Sequence, residues 1–291
     1  MTWTAAVLIA ISAVLHAGWN FVSKRRSPTL GFFSIAAVSA AVVMLPVLIA
    51  HRHLVADVTP VVWGLLAATG LAQGLYVYGL AGAYESGDIS LAYPLARALP
   101  VLLVAAVGLA LGRGDDIGRL GLTGMVLIAI GCVLMPMVRF QRISLSDYRG
   151  VVYRMAIVAA LDRLGGLVDE GLSQTRVTVF YVSLQAIATA LGIALVTMAR
   201  PLSRHQLRGV LADRRLLRTG VLTGMIISAT YGLALAAMAY VSDVSYVAAF
   251  RQLSIPIGAS LGFILQGEPR YRPKLIGIGV VTLGLVLVGL G

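Results

Sequence analysis

The sequence predicts an all-α integral membrane bundle of ten transmembrane helices, arranged as two inverted five-helix repeats. Three observations predict this fold class: the composition, a series of long apolar runs, and similarity between the two halves of the chain. Of the 291 residues, 59% are hydrophobic and only 12% are charged. A water-soluble chain needs more polar surface than this to cover itself, so we expect the protein to lie in a lipid bilayer.

The apolar runs are each long enough to cross a membrane, which takes about 20 residues. Ten can be placed, at 2–23, 29–50, 60–83, 89–111, 118–138, 151–171, 178–199, 219–240, 244–265 and 273–290. The connections between them are too short for a soluble domain. The first run is interpreted as a retained helix, because its basic cluster Lys24, Arg25 and Arg26 follows the apolar residues, whereas a signal peptide carries such charges before them.

The net charge of +11 is dispersed among short connections, which favours membrane orientation over nucleic-acid binding. Sixteen of the 23 lysines and arginines lie in or beside the connections after the first, third, fifth, seventh and ninth runs. The positive-inside rule then predicts both termini outside the cytoplasm. The single cysteine, Cys132, excludes an intrachain disulfide.

Two blocks of the first half recur in the second half in the same order. Residues 13–29 resemble 159–175 at a displacement of 146, and 76–90 resemble 231–245 at a displacement of 155. An odd number of spans per copy inverts the second copy in the membrane. We therefore predict one repeat over 1–145 and another over 146–291, with a substrate site at their interface.

The chain resembles the drug/metabolite transporter superfamily in its ten-helix form with two EamA-type repeats. The resemblance lies in the hairpin with Asp88 and Ser90, the proline-bearing helix that follows it, and the counterparts around Asp243, Pro256 and Glu268. It departs from the family at Arg113–Asp116, where a glutamate is usual. The resemblance implies an exporter or exchanger of small metabolites with a central cavity. It also implies cytoplasmic termini, against the charge count, so the orientation stays open.

Two arginines fall deep within apolar runs. Arg97 lies about 12 Å from the membrane surface, near the midplane of a hydrocarbon core about 30 Å thick, and Arg251 lies at a similar depth in the ninth run. An arginine at that depth needs a partner or a wet cavity. A guanidinium suits carboxylate or phosphate, so both are candidates to bind an anionic substrate. The alternative is permanent pairing with acidic neighbours or with carbonyls freed by Pro94, Pro100 or Pro256.

His16 and Asp162 occupy equivalent positions in the first helices of the two repeats. Both can exchange protons when suitably buried, so they are candidates for proton coupling. The alternative is structural: Asp162 neutralises an arginine, and His16 hydrogen-bonds within the bundle.

Further candidates for the substrate site carry rings, hydroxyls or an amide. Trp19 and Asn20 lie three and four residues after His16 on the same helix. For Trp19 the alternative is a position in the interfacial belt, and for tyrosines it is packing or a position at headgroup level. The tyrosines in this group are Tyr76, Tyr93 and Tyr231.

These patterns favour a secondary transporter of a small polar metabolite, such as an amino acid or another carboxylate-bearing compound, in a cell membrane, the bacterial inner membrane being expected. No H-E-x-x-H, Walker A or C-x-x-C motif is present, and no cofactor, metal or nucleic-acid partner is predicted. His51 and His53 are interpreted as solvated. An intramembrane enzyme acting on lipid phosphate, or a flippase for a lipid-linked substrate, is the alternative. Glycine pairs such as Gly70 and Gly74 predict close helix packing, with a homodimer left open.

Overall fold

A computed structural model describes residues 2–86, 88–96, 98, 118–135, 137–138, 142–143, 178–238, 240, 247 and 250–290. In these ranges the protein is helical apart from its connections and one antiparallel pair of two-residue strands, Met137–Val138 and Arg142–Ile143. The predicted sixth run, 151–171, and most of the fourth lie outside the described residues. The site candidates Arg97 and Asp162 lie outside them as well.

The described helices fall on the predicted apolar runs, with two additions. They are α1 (Trp3–Arg26), α2 (Leu30–Ala50), a 3-10 helix (Arg52–Asp57), α3 (Pro60–Ser86), α4 (89–96), α5 (Arg119–Leu134), α6 (Thr178–Ala199), α7 (Pro201–Ala212), α8 (Arg214–Met238), α9 (Ser254–Leu265) and α10 (Arg272–Leu290). The additions are the 3-10 helix and α7, which lie in segments expected to be only connections.

Five of these helices, α1, α2, α3, α6 and α8, are long and apolar enough to cross a membrane. Their outward faces carry large exposed apolar side chains, including Val42, Leu191 and Leu195, which are 55%, 66% and 57% exposed. Such a surface is unfavourable in water and favourable against lipid tails. The chain is therefore a membrane-embedded helical protein.

Short polar side chains determine where several helices begin. Thr2 and Thr29 accept hydrogen bonds from backbone N–H groups in the first turns of α1 and α2. Asp213 does the same for α8, where Oδ1 accepts from Arg215 N at 2.7 Å and Leu216 N at 3.2 Å. This cap explains why α8 begins at Arg214, five residues before the predicted start at 219.

Contacts between helices fix their relative directions. Helices α1 and α8 are antiparallel, since Ser12 Oγ donates to Thr230 O and Thr2 Oγ1 to Tyr240 O. Helices α2 and α6 are also antiparallel, because Ser34 Oγ lies 2.7 Å from Thr197 Oγ1 at one end, while Leu48 packs near Phe180 at the other.

Glycines let three helix pairs approach closely. Gly70 faces Ala188 and Gly74 faces Gly192, so α3 and α6 run parallel. Gly220 and Gly224 likewise face α2, so α8 and α2 approach closely and also run parallel. Helices α5 and α10 are antiparallel, because Gly124 faces Gly284 and Gly131 faces Gly277. At these positions an added Cβ would come within about 3 Å of the neighbouring helix, so only glycine permits this spacing.

The contact between α3 and α6 gives a testable prediction. A methyl group at Gly192 would collide with the backbone of Gly70, so Gly192→Ala should destabilise the protein by about 1–3 kcal/mol. Gly18→Ala is the matched control, because nothing lies within 4 Å of its added Cβ. Thermal unfolding in detergent should show a lower Tm for the first variant alone; an equal Tm for both would contradict the packing described.

Candidate functional site

The helical segment that leads into α9 is interrupted at Gln252 and Leu253. Residues 250 and 251 are helical, residues 252 and 253 form a turn, and α9 begins at Ser254. Pro256 accounts for the break, since proline lacks an N–H and its ring collides with the carbonyl four residues earlier, here that of Gln252. That carbonyl instead accepts from Ile255 N at 2.9 Å.

Arg251 is the last residue before this interruption. Its guanidinium carbon lies 5.4 Å from the centre of the Tyr231 ring, within the range of a cation–π interaction. Arg251 is half-buried, and Tyr231 on α8 is 50% exposed. The structure thus brings together two residues that the sequence predicted separately as substrate contacts.

Ser254, the first residue of α9, connects this segment to α4. Tyr93 Oη donates to Ser254 Oγ at 2.9 Å, and both residues are buried. Gly258 makes room for the tyrosine, because a Cβ there would lie 2.8 Å from Tyr93 Cδ1. The Tyr93 ring also lies 6.2 Å from the ring of His16, measured between centroids. Helices α1, α4 and α9 therefore meet at polar side chains.

His16 begins a run of polar contacts along the buried face of α1. Trp19 Nε1 donates to His16 Nδ1 at 3.4 Å, and Asn20 Nδ2 donates to His16 O at 2.8 Å. Tyr84 Oη on α3 donates to Asn20 Oδ1 at 2.6 Å. Asn20 and Tyr84 are almost completely buried, so the amide of Asn20 is held by partners within the bundle. Trp19 packs with Tyr76 around a cluster that includes Phe32 and Tyr84.

The hydrogen bond from Tyr84 to Asn20 should contribute measurably to stability. Tyr84→Phe removes the hydroxyl and leaves Asn20 Oδ1 without that donor, at a cost of about 1–2 kcal/mol. Tyr240→Phe is the control, because Tyr240 is 49% exposed and should change Tm little. Equal unfolding temperatures for the two variants would contradict the role assigned to this bond.

An ionic cluster lies where α1, α3, α4, α9 and α10 end or begin. Glu268 accepts two hydrogen bonds at the start of α4, from Ile89 N at 2.7 Å and from Ser90 N at 2.9 Å. Lys274 Nζ forms a salt bridge with Asp88 Oδ2 at 2.9 Å. Lys24 donates to the carbonyl of Tyr84 and interacts electrostatically with Glu268, Asp88 and Glu85.

Two glycines position Glu268 in this ionic cluster. Gly267 adopts φ +65°, a left-handed conformation that favours glycine and turns the chain back after α9. Gly262 has no side chain where the carboxylate lies, since a Cβ there would be 2.6 Å from Glu268 Oε2. Glu268 and Lys274 are 8% and 3% exposed; buried charges of this kind are tolerated when they are paired and hydrogen-bonded.

Sequence reasoning found part of this arrangement. It proposed the rings and polar groups of α1, α3, α4 and α8. It noted Asp88 through the internal repeat and a family resemblance, and Glu268 through the resemblance alone. It missed Tyr84, Ser254 and the pairing of Lys274 with Asp88. A polar residue within an apolar run, such as Ser254, was the available signal, but its partner lies 161 positions away in the chain.

Comparison with known proteins adds no assignment: no protein-family model matches the chain, and no curated protein matches it at a significant level. In the part of the chain that the structure describes, no three histidine, cysteine, aspartate or glutamate side chains are grouped to hold a metal ion. The chemistry of the site is therefore inferred from its side chains. These are the guanidinium at the helix interruption, the hydroxyls, the imidazole and the indole of Arg251, Tyr93, Tyr231, Ser254, His16 and Trp19.

Proposed function

We propose that the protein is a secondary transporter of a small, negatively charged metabolite, working by alternating access as an exporter or exchanger. The observation that carries this proposal is the position of Arg251 at the interruption before α9, next to Tyr231 and one turn from Ser254. Transporters bind substrate and coupling ions at such discontinuous helices. A guanidinium there can hold a carboxylate or phosphate by two parallel hydrogen bonds.

Helix directions support an inverted repeat within this proposal. In a chain of five plus five spans, α5 and α10 are equivalent, as are α2 and α6, and inversion makes each pair antiparallel. Both pairs are antiparallel. The proposed repeat also relates α3 to α8 and α6 to α2. The parallel pair α3 and α6 therefore corresponds to the parallel pair α8 and α2. The α5 and α10 glycines correspond too, with Gly124 and Gly277, and Gly131 and Gly284, each 153 residues apart.

The ionic cluster provides the closed side of the proposed cycle. Glu268 and Lys274 belong to the proposed second repeat, whereas Ile89, Ser90 and Asp88 belong to the first. Their contacts join the two halves at one end of the bundle. In the proposed cycle these contacts separate once per turnover, when the site opens toward that end of the bundle.

The proposal includes membership of the drug/metabolite transporter superfamily and a place in a cell membrane. Arg97 is proposed as a second cation for the substrate, and His16 with Asp162 as the groups that couple transport to protons. For His16 the contact with Trp19 is a means by which protonation could be transmitted to the site, since a protonated Nδ1 cannot accept that hydrogen bond.

Flux through sealed vesicles tests the transport proposal. The purified protein is reconstituted and loaded with labelled amino acids, organic acids or nucleotides, and efflux and counterflow are measured against empty vesicles. We expect protein-dependent flux of at least one anionic compound. Turnover of a labelled phospholipid without flux would favour the lipid-phosphate enzyme, and movement of a lipid between leaflets would favour the flippase. Either result without metabolite flux would overturn the proposal.

A further inference from the structure

A basic cleft lies on the surface between the end of α1 and the beginning of α8. It has a volume of about 410 Å³ and is lined by Arg26, Arg215, Leu216, Arg218, Thr219 and Leu222. Three of these residues are cations from two different helices, and among the described residues that line the cleft none is acidic. A cleft of this composition favours a ligand that is anionic at one end and apolar at the other.

Position along the helices places the two ends of the cleft at different depths. Arg26 is the last residue of α1, and Arg215 and Arg218 lie in the first two turns of α8, at the ends of two helices that are long and apolar enough to cross a membrane. Leu222 lies one turn further along α8 and is 55% exposed. If both helices span the bilayer, the guanidinium groups are expected at headgroup level and Leu222 beside the acyl chains.

The acidic residue that directly precedes α8, Asp213, is already used as a cap of that helix. Asp213 Oδ1 accepts the backbone N–H groups of Arg215 and Leu216, so its carboxylate is directed at the start of α8. The Thr219 hydroxyl donates to Arg215 O at 2.8 Å. The arginine side chains themselves are exposed, which leaves their charge available to a ligand that arrives from the lipid.

We propose that this cleft binds the phosphate group of an anionic phospholipid, with one acyl chain lying against Leu222. Basic residues at membrane level attract anionic lipids by about 1 kcal/mol each, and arginine adds bidentate geometry toward phosphate oxygens. Free phosphate offers the same headgroup chemistry without the apolar contact. Lipid binding at this cleft does not depend on the transported substrate, so this proposal can be tested independently of the transport proposal.

The test is binding of defined lipids to delipidated protein in neutral detergent. Phosphatidylglycerol, phosphatidylcholine and inorganic phosphate are added separately, and thermal unfolding and native mass spectrometry are recorded. We expect phosphatidylglycerol to raise Tm and to remain bound, with the other two giving little effect. The triple variant Arg26→Gln, Arg215→Gln, Arg218→Gln should bind phosphatidylglycerol about 100-fold more weakly.

Two further variants separate a built site from general surface charge. The double variant Arg204→Gln, Arg208→Gln removes exposed cations from α7, outside the cleft, and should keep nearly all of the affinity. Leu222→Asn removes the apolar contact, so it should weaken binding of phosphatidylglycerol but not of inorganic phosphate. Equal phosphatidylglycerol affinity for the native protein and the triple variant would overturn the proposal. So would equal effects of phosphatidylcholine, or stabilisation by inorganic phosphate that matches the lipid.

Discussion

Arg251→Ala should reduce substrate flux in reconstituted vesicles to about one hundredth of the native rate or less, while the protein stays folded. Arg251 is half-buried at a helix interruption and contacts the Tyr231 ring, so its removal would leave the anionic group of the proposed substrate without its cation. Loss of a charged hydrogen-bonding partner costs about 1.5–3 kcal/mol, and a bidentate pair costs more.

Two companion variants sharpen this prediction. Arg251→Lys keeps the charge but not the planar fork, so it should retain an intermediate flux. Arg52→Ala removes an exposed arginine from the 3-10 helix and should leave flux unchanged. The Arg97→Ala variant is expected to behave like Arg251→Ala. Native flux in both Arg97→Ala and Arg251→Ala would remove the arginines from the mechanism.

Glu268→Ala should lower the free energy of unfolding by about 3–5 kcal/mol, the cost of breaking a buried charged interaction by removing one partner. The carboxylate accepts the N–H groups of Ile89 and Ser90 at the start of α4. Without it, these two N–H groups lose their acceptor, and Lys24 loses the acidic group that interacts with it most strongly. Glu268→Gln keeps an acceptor oxygen but not the charge, so its loss should be smaller.

The matched control for Glu268 is Glu85→Ala. Glu85 also interacts electrostatically with Lys24, but it is exposed, and its removal should cost no more than about 0.5 kcal/mol. Chemical denaturation of the three variants in detergent measures these differences. Similar stabilities for Glu268→Ala and Glu85→Ala would show that the ionic cluster does not hold α4 in place.

The fold could be predicted as far as it depends on local composition. Long apolar stretches such as 30–50 are membrane helices by length alone, and the structure confirms a helical, membrane-embedded chain. Helix α7 was not predicted, because Pro201–Ala212 is too polar and too short to span a bilayer and its helix is amphipathic at the surface. The early start of α8 depended on a cap at Asp213.

The candidate site was less predictable, because its contacts join distant parts of the chain. Glu268 reaches Ser90 across 178 positions, and only the folded arrangement of α4 and α9 brings them together. Pro256 did indicate where a helix weakens, since the interruption at Gln252 lies one turn before it, whereas Pro94 lies in the continuous helix α4 and Pro100 lies outside the described residues. Residue type thus predicted which groups are costly to bury, whereas the partners of those groups could be identified only from the tertiary structure.

Ligand-induced stabilisation tests the central claim, that Arg251 recognises the negative charge of a transported metabolite. Carboxylic acids and organic phosphates are compared with their neutral amides or alcohols in a thermal-shift screen of native protein and Arg251→Ala. The account predicts that at least one anion raises the Tm of the native protein, that its neutral analogue does not, and that Arg251→Ala shows no shift. Equal shifts by an anion and its neutral analogue, or by the same anion in both proteins, would contradict it.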